Sequence, residues 1–212
     1  MAASDVDIAN LALAMIGKEE IASLVEDSVE ARAVSRHLVN AKQFTLGRSN
    51  WTFALRADAL ALLLNDWEGR WSHRYDRPSR ALRIVRLYNT GWDDPRGLPV
   101  EYNVRGNAIY ANLADAICEY VDKNTAVTAY PAWFDVVVAA YLARQLVMPL
   151  TKKSSLWSNL NDIYGSHHAE AVQLDEGQHP TYWPQDNGGY IDARGAAGSR
   201  VREAADGSSF WS

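Results

Sequence analysis

The sequence predicts a mostly α protein: an antiparallel helical bundle with a small antiparallel β insert and an extended C-terminal arm. Three observations predict it. Apolar residues recur at helical spacing in two blocks, residues 4–64 and 131–173. Between them the helical period fades, and Pro78, Pro95, Pro99, Gly91 and Gly97 break the chain. After Gly177 no period survives. The expected organisation is a core over 1–177, with the β insert at about 71–125, and an arm over 178–212.

The first helix starts at Ser4, where Asp7 three positions on makes a capping box with Asp in the place of Glu. Ile8, Leu11, Ala12 and Met15 supply its apolar face, and Gly17 stops it. Ile21 and Leu24 anchor a short connector. Asp27 or Ser28 caps the second helix, whose stripe is Ala31, Val34, Leu38, Ala41 and Thr45. Gly47 suggests its end, and helix-like spacing resumes from Trp51 to Leu64.

In the insert, Ala81 to Tyr88 reads as a strand. Val100, Tyr102 and Val104 alternate with polar residues, Gly106-Asn107 turns the chain, and Ile109-Tyr110 leads back. Ile117 to Val121 adds a further strand, for three or four in all. Helix returns at Pro131, suited to a first turn. Phe134, Val137, Val138, Tyr141, Leu142, Gln145 and Leu146 give it a broad apolar face, and Pro149 is expected to end it. Ser154 or Ser155 caps a last helix to about Gln173, with Leu156, Leu160, Ile163 and Tyr164 on one side and a frayed end over 174–177.

The chain has 212 residues, 48% of them hydrophobic, and a net charge of −5. The length supports one domain with a sizeable core. Proteins that grip nucleic acid through its phosphates carry a basic surplus, so the acidic balance argues against tight binding of DNA over a large surface. The single cysteine, Cys118, allows no internal disulfide and reads as a small buried hydrophobe. The N-terminus lacks the basic and apolar pattern of a signal peptide, and no membrane segment is expected.

No phosphate loop, dinucleotide fingerprint, nucleophile elbow or HExxH motif occurs. His167 and His168, with Asp162 and Glu170, suggest a metal site, but adjacent helical residues diverge by about 100°, and paired ligands sit better four apart. Glu19, Glu20, Glu26 and Asp27 form an acidic loop in which two carboxylates would suffice for glycoside cleavage. Arg70, Arg74, Arg77, Arg80, Arg83 and Arg86, interleaved with Trp71 and Tyr75, suggest a nucleic-acid patch or a surface for an acidic protein. A solvated face accounts for each of these three clusters as well. The expectation is a protein without catalytic residues, metal or cofactor.

The arm carries Tyr182, Trp183, Tyr190, Phe210 and Trp211 in a sequence otherwise too polar and glycine-rich to pack alone. Exposed aromatics are the usual anchors of interfaces.

Several stretches carry a family likeness. They are Asp7-Ile8-Ala9-Asn10-Leu11-Ala12-Leu13-Ala14-Met15-Ile16-Gly17, then Ile21-Ala22-Ser23-Leu24, Trp51-Thr52-Phe53-Ala54 with Arg56 and Ala57, and Tyr75-Asp76-Arg77-Pro78 leading into Leu82-Arg83-Ile84. In this order they resemble the head-to-tail connector proteins of short-tailed bacteriophages, also called tail tubular protein A, adaptor or head-completion proteins. The likeness covers about residues 4–175. It implies a virion protein, made in the host cytoplasm, that forms a ring of about twelve copies with itself, as such connectors do. The ring would dock under the portal protein, pass DNA through its lumen without tight binding, and carry the tail nozzle protein. It further implies a portal-binding arm, with Tyr182, Trp183 and Tyr190 as anchors, Arg194 as their polar partner, and Phe210 and Trp211 beyond. Cell-wall or polysaccharide hydrolysis at the tail is the alternative that the likeness leaves open.

Overall fold

Four helices and seven strands, over residues 4–89 and 100–178 of a computed structural model, make a mixed α and β fold. Among the described residues 48% are helical and 20% lie in strands of two antiparallel sheets. The mostly helical expectation is therefore overturned.

Helix α1 (Asp5–Met15) opens on the predicted capping box: the Ser4 hydroxyl accepts from the Asp7 amide at 3.1 Å, and the Asp7 carboxylate accepts from the Ser4 amide at 2.8 Å. Its buried face is Ile8, Ala9, Ala12 and Leu13, while Leu11 points outward. Asn10 pins the connector, donating to the Ile21 carbonyl and accepting from the Ile21 amide. Helix α2 (Val29–Arg48) is capped by Ser28 and buries the predicted stripe. Gly47 stands one residue before its last, Arg48, close to the expected end. A Cβ there would come within 3.3 Å of Leu82, so this glycine marks where α2 lies close against a strand.

The segment 51–64 is not helical. A 3-10 turn (Thr52–Ala54) leads into β1 (Leu55–Ala59) and β2 (Leu62–Leu63), so the β region begins well before residue 71. Short runs rich in Ala and Leu are ambiguous by period, and cross-strand pairing decides them. The other strands are β3 (His73–Asp76), β4 (Ala81–Tyr88), β5 (Tyr102–Arg105), β6 (Ala108–Ala111) and β7 (Ile117–Asp122). One sheet has the order β1-β7-β4 and the other β2-β3-β6-β5, all pairs antiparallel. Gly106 takes φ +58° in the β5–β6 turn. The two sheets share a core of Tyr75, Leu87, Ile109, Ala116, Cys118 and Tyr120.

Helix α3 (Ala132–Thr151) is the centre of the larger core. By length and composition it could cross a membrane, yet ten of its residues, from Phe134 to Val147, are buried under α1, α2 and α4. Pro131 sits one position before it, and Pro149 does not stop it: the helix ends two residues later, at Thr151, and Lys152 after it takes the left-handed region. A proline in the last turn loses a single hydrogen bond, which a well-buried helix tolerates. Helix α4 (Ser154–Glu176) has neither serine as a side-chain cap, and Ile163 faces outward.

The end of α4 does not fray. Asp175 is buried and accepts from the Thr52 amide at 3.0 Å and the Thr52 hydroxyl at 2.9 Å, capping the 3-10 turn from across the fold. Hydrogen bonds to a charged acceptor contribute about 1.5–3 kcal/mol. Asp175→Ala is therefore expected to lower the unfolding free energy by about 2 kcal/mol in urea titrations. Thr52→Val, which removes only the hydroxyl donor, should cost less; equal losses in the two variants would show that the backbone cap carries no weight.

Candidate functional site

The charged clusters of the sequence come apart in three dimensions. Among the six arginines, Arg74 lies over the Tyr110 ring, meets Asp66 at 3.5 Å and donates to the Leu64 carbonyl. Arg77 donates to the carbonyls of Ala81 and Leu82. Arg80 pairs with the fully buried Asp122, Arg83 bonds Asn50, and Arg86 pairs with Glu119. Arg70 stands against Trp67 and Trp71. Most of these cations hold turns and strand ends in place, and the six do not make one stripe.

The acidic loop is likewise occupied with its own structure. Glu26 accepts from the amides of Ala22 and Ser23; the Ser28 hydroxyl first, and these amides with it, keep its carboxyl below the usual range, and Asp27 pairs with Arg32. Only Glu19 and Glu20 stand exposed without such a role. His167 and His168 diverge: His167 is 4.0 Å from Glu170, while His168 packs edge-on against Trp51 with Nε2 3.4 Å from the Ser49 hydroxyl. Burial and the nearby Arg48 push the His168 ring below its usual range. Among the described residues no three His, Cys, Asp or Glu side chains group as metal ligands. Cys118 is buried in β7, and burial pushes its thiol up to about 12.

What the fold does assemble is apolar surface. On the β side, Leu62 and Leu64 are 64% and 89% exposed, on and beside the edge strand β2. They border a shallow depression lined by Leu63, Asn65, Ser72, His73 and Arg74. Val104 on the opposite edge strand, β5, is also exposed. Edge strands are normally blunted by Lys, Pro, a bulge or a cover. β2 has neither Lys nor Pro, but at two residues it is short, which itself blunts the edge, so what stands out is its exposed leucine surface.

On the helical side, α2, α3 and α4 build an aromatic face. Phe44 stacks on Tyr141 at 4.3 Å, and Tyr141 meets Tyr164 edge-on at 5.2 Å. The Arg144 guanidinium lies 4.6 Å from the Tyr141 ring, 5.6 Å from Tyr164 and 5.7 Å from Trp157. Arg48 lies over Phe44 at 6.0 Å. The sequence shows Tyr141 and Tyr164 as core residues. Their meeting with Arg144 and Trp157 depends on the α3–α4 crossing, and the one local cue is an arginine and a tryptophan among apolar neighbours.

The arm residues Tyr182, Trp183, Tyr190, Arg194, Phe210 and Trp211 lie outside the described residues. No family model matches the sequence, and no curated protein matches it either.

One further titratable group stands out. Asp135, in the first turn of α3, has a buried carboxyl oxygen without a hydrogen-bond partner, and burial with Asp7 nearby pushes it up to about 6 from 3.8. The folded state thus holds its proton more tightly than the unfolded one. The stabilising contribution is complete below about pH 4 and is lost as pH rises through about 6. Asp135→Asn should remove this fall, so the stability of the variant relative to the parent should rise between pH 4 and 6 in denaturation series. A difference that stays flat across that window would mean the carboxyl titrates normally.

Proposed function

We propose that this chain is a structural subunit of a phage head-to-tail connector. It works by forming a ring with copies of itself, of about a dozen subunits in this reading, that docks under the portal and lengthens the DNA channel. The ring offers a platform to the tail nozzle, and the subunit works without catalysis of its own. The sequence likeness over residues 4–175 motivates the reading, with Asp7–Gly17 and Trp51-Thr52-Phe53-Ala54 as its most specific parts.

The observation that carries it is the leucine edge at β2. Exposed leucines gathered at a strand edge are a liability for a lone molecule and an asset for one that is covered on assembly. The scattering of the arginines among internal partners supports the same reading. A conduit that must release DNA is better served by an acidic surface than by a continuous cationic one. The aromatic segment beyond residue 178, with Tyr182, Trp183 and Tyr190, would tie each copy to the portal. A segment that orders on binding gives weak single contacts, and a ring of them gives a tight whole.

Native mass analysis and electron microscopy of the full chain mixed with portal rings from its own phage test this. Closed rings stacked on the portal are expected, and deletion of residues 178–212 should abolish them. A chain that stays single and undocked in the mixture sinks the connector reading. Leu62→Lys with Leu64→Lys should leave the unfolding free energy within about 0.5 kcal/mol of the parent, because both side chains are solvated. The same pair should reduce recruitment of portal or nozzle; unimpaired assembly would remove the β2 edge from the interface.

A further inference from the structure

We propose that the aromatic face between α2, α3 and α4 receives the α1–α2 loop of a second copy of this chain, and that this is the head-to-tail contact that builds the ring. The inference rests on the ring reading above and names the surfaces that meet.

The two patches are complementary in charge as well as in apolar area. The first has Phe44 and Trp157 exposed at its centre, with Arg48 and Arg144 beside them. Among the described residues neither arginine has a carboxylate within ion-pair distance. Arg144 Nη1 donates to Asn161 at 2.8 Å, but its Nε is buried without a partner. The Tyr164 hydroxyl behind it is also unpartnered, in a residue only 6% exposed. Burial pushes that phenol up, while Arg48 and Arg144 draw it back down, which places both cations around one ring.

The second patch is the loop that enters α2. Val25 is 92% exposed and Val29 60%, an unusual display of aliphatic surface. Glu19 and Glu20 stand exposed earlier in the same loop, while Glu26 and Asp27 are held by the loop amides and by Arg32. An apolar centre with negative neighbours thus matches an apolar centre with positive ones. Trp, Tyr and Arg on the receiving side are the residue types that dominate binding energy at interfaces, and flanking charges set orientation and encounter rate.

The patches cannot meet within one chain. The loop enters α2 at Ser28, and Val29 and Phe44 are 15 residues apart on that rigid helix, which holds them about 22 Å apart. Satisfying both therefore takes another copy. Because the two surfaces differ, the contact is head-to-tail, and repetition of a head-to-tail contact closes into a ring when the rotation permits.

A charge exchange tests this on the full chain alone, without portal. Sedimentation velocity over a dilution series should show parent self-association that weakens with salt. The face reversal Arg48→Glu with Arg144→Glu, and the loop reversal Glu19→Lys with Glu20→Lys, should each weaken it by about tenfold or more. An equimolar mixture of the two reversals should restore it, because every junction in an alternating ring again pairs opposite charges. Arg144 is packed between rings, so if its reversal fails to fold, Arg48→Glu and Glu19→Lys make the same exchange with exposed side chains. A parent that stays monomeric throughout, reversals that associate like the parent, or a mixture that stays dissociated each overturn the proposal. Portal docking is read separately: assembly by charge exchange without docking leaves this contact standing and removes the connector reading, whereas docked rings that ignore the reversals do the opposite.

Discussion

Everything in the larger core is arranged around the seat of Trp51. The side chain is fully buried, its indole nitrogen donates to the Thr45 carbonyl at 2.9 Å, and its ring meets Phe53, Trp133, Phe134 and His168. Those partners come from α3, α4 and the turn that follows Trp51 itself. A large aromatic contributes more burial than any aliphatic residue, and its single polar atom needs a partner inside. The Thr45 carbonyl supplies that partner because it lies in the last turn of α2, where helix carbonyls lack partners of their own. The indole thereby ends α2, and Asp175 caps the turn that follows it. With both in place the chain is aimed outward into β1, and the β region can begin.

A second constraint governs the β region. Asp122 at the end of β7 is fully buried, and it is held by Arg80 on one side and approached by Arg56 at 3.9 Å on the other. A buried carboxylate must be paired and hydrogen-bonded or it costs several kcal/mol. This explains why arginines recur so densely around the β3–β4 turn without forming a cationic surface. Arg77 fastens the carbonyls of Ala81 and Leu82, Arg80 serves Asp122, and Arg86 serves Glu119. Each of these three is engaged by a partner within the fold. Arg48, Arg144, Glu19 and Glu20 lie elsewhere and, like several other charged side chains, have no ion-pair partner among the described residues.

The surfaces that carry the functional reading were legible to different degrees. The acidic loop was visible as a cluster, but the division of labour within it was not: the glutamate that folds back on Ala22 and Ser23 looks like its neighbours in sequence. Leu62, Leu63 and Leu64 fall at the end of the helix-like spacing over Trp51 to Leu64, because leucines after an alanine-rich run fit a helix as well as a strand edge. The aromatic face was not anticipated. Phe44 and Tyr141 are nearly a hundred residues apart, and only the antiparallel packing of α2 on α3 stacks them.

What the sequence by itself determined is local. The Ser4–Asp7 capping box, the apolar stripe of α2, the Gly106-Asn107 turn and the broad face of α3 all follow from backbone and side-chain preferences that act within a few residues, so they could be read without the fold. The tertiary structure decided whatever depends on partners distant in the chain. It made 55–59 a strand because β7 pairs with it over Leu55↔Val121 to Ala59↔Ile117. It also carried α4 through to Glu176, where the Asp175 carboxylate accepts from the Thr52 amide and hydroxyl. In each case a contact made only in the folded chain outweighs a local preference of at most about 1 kcal/mol per residue.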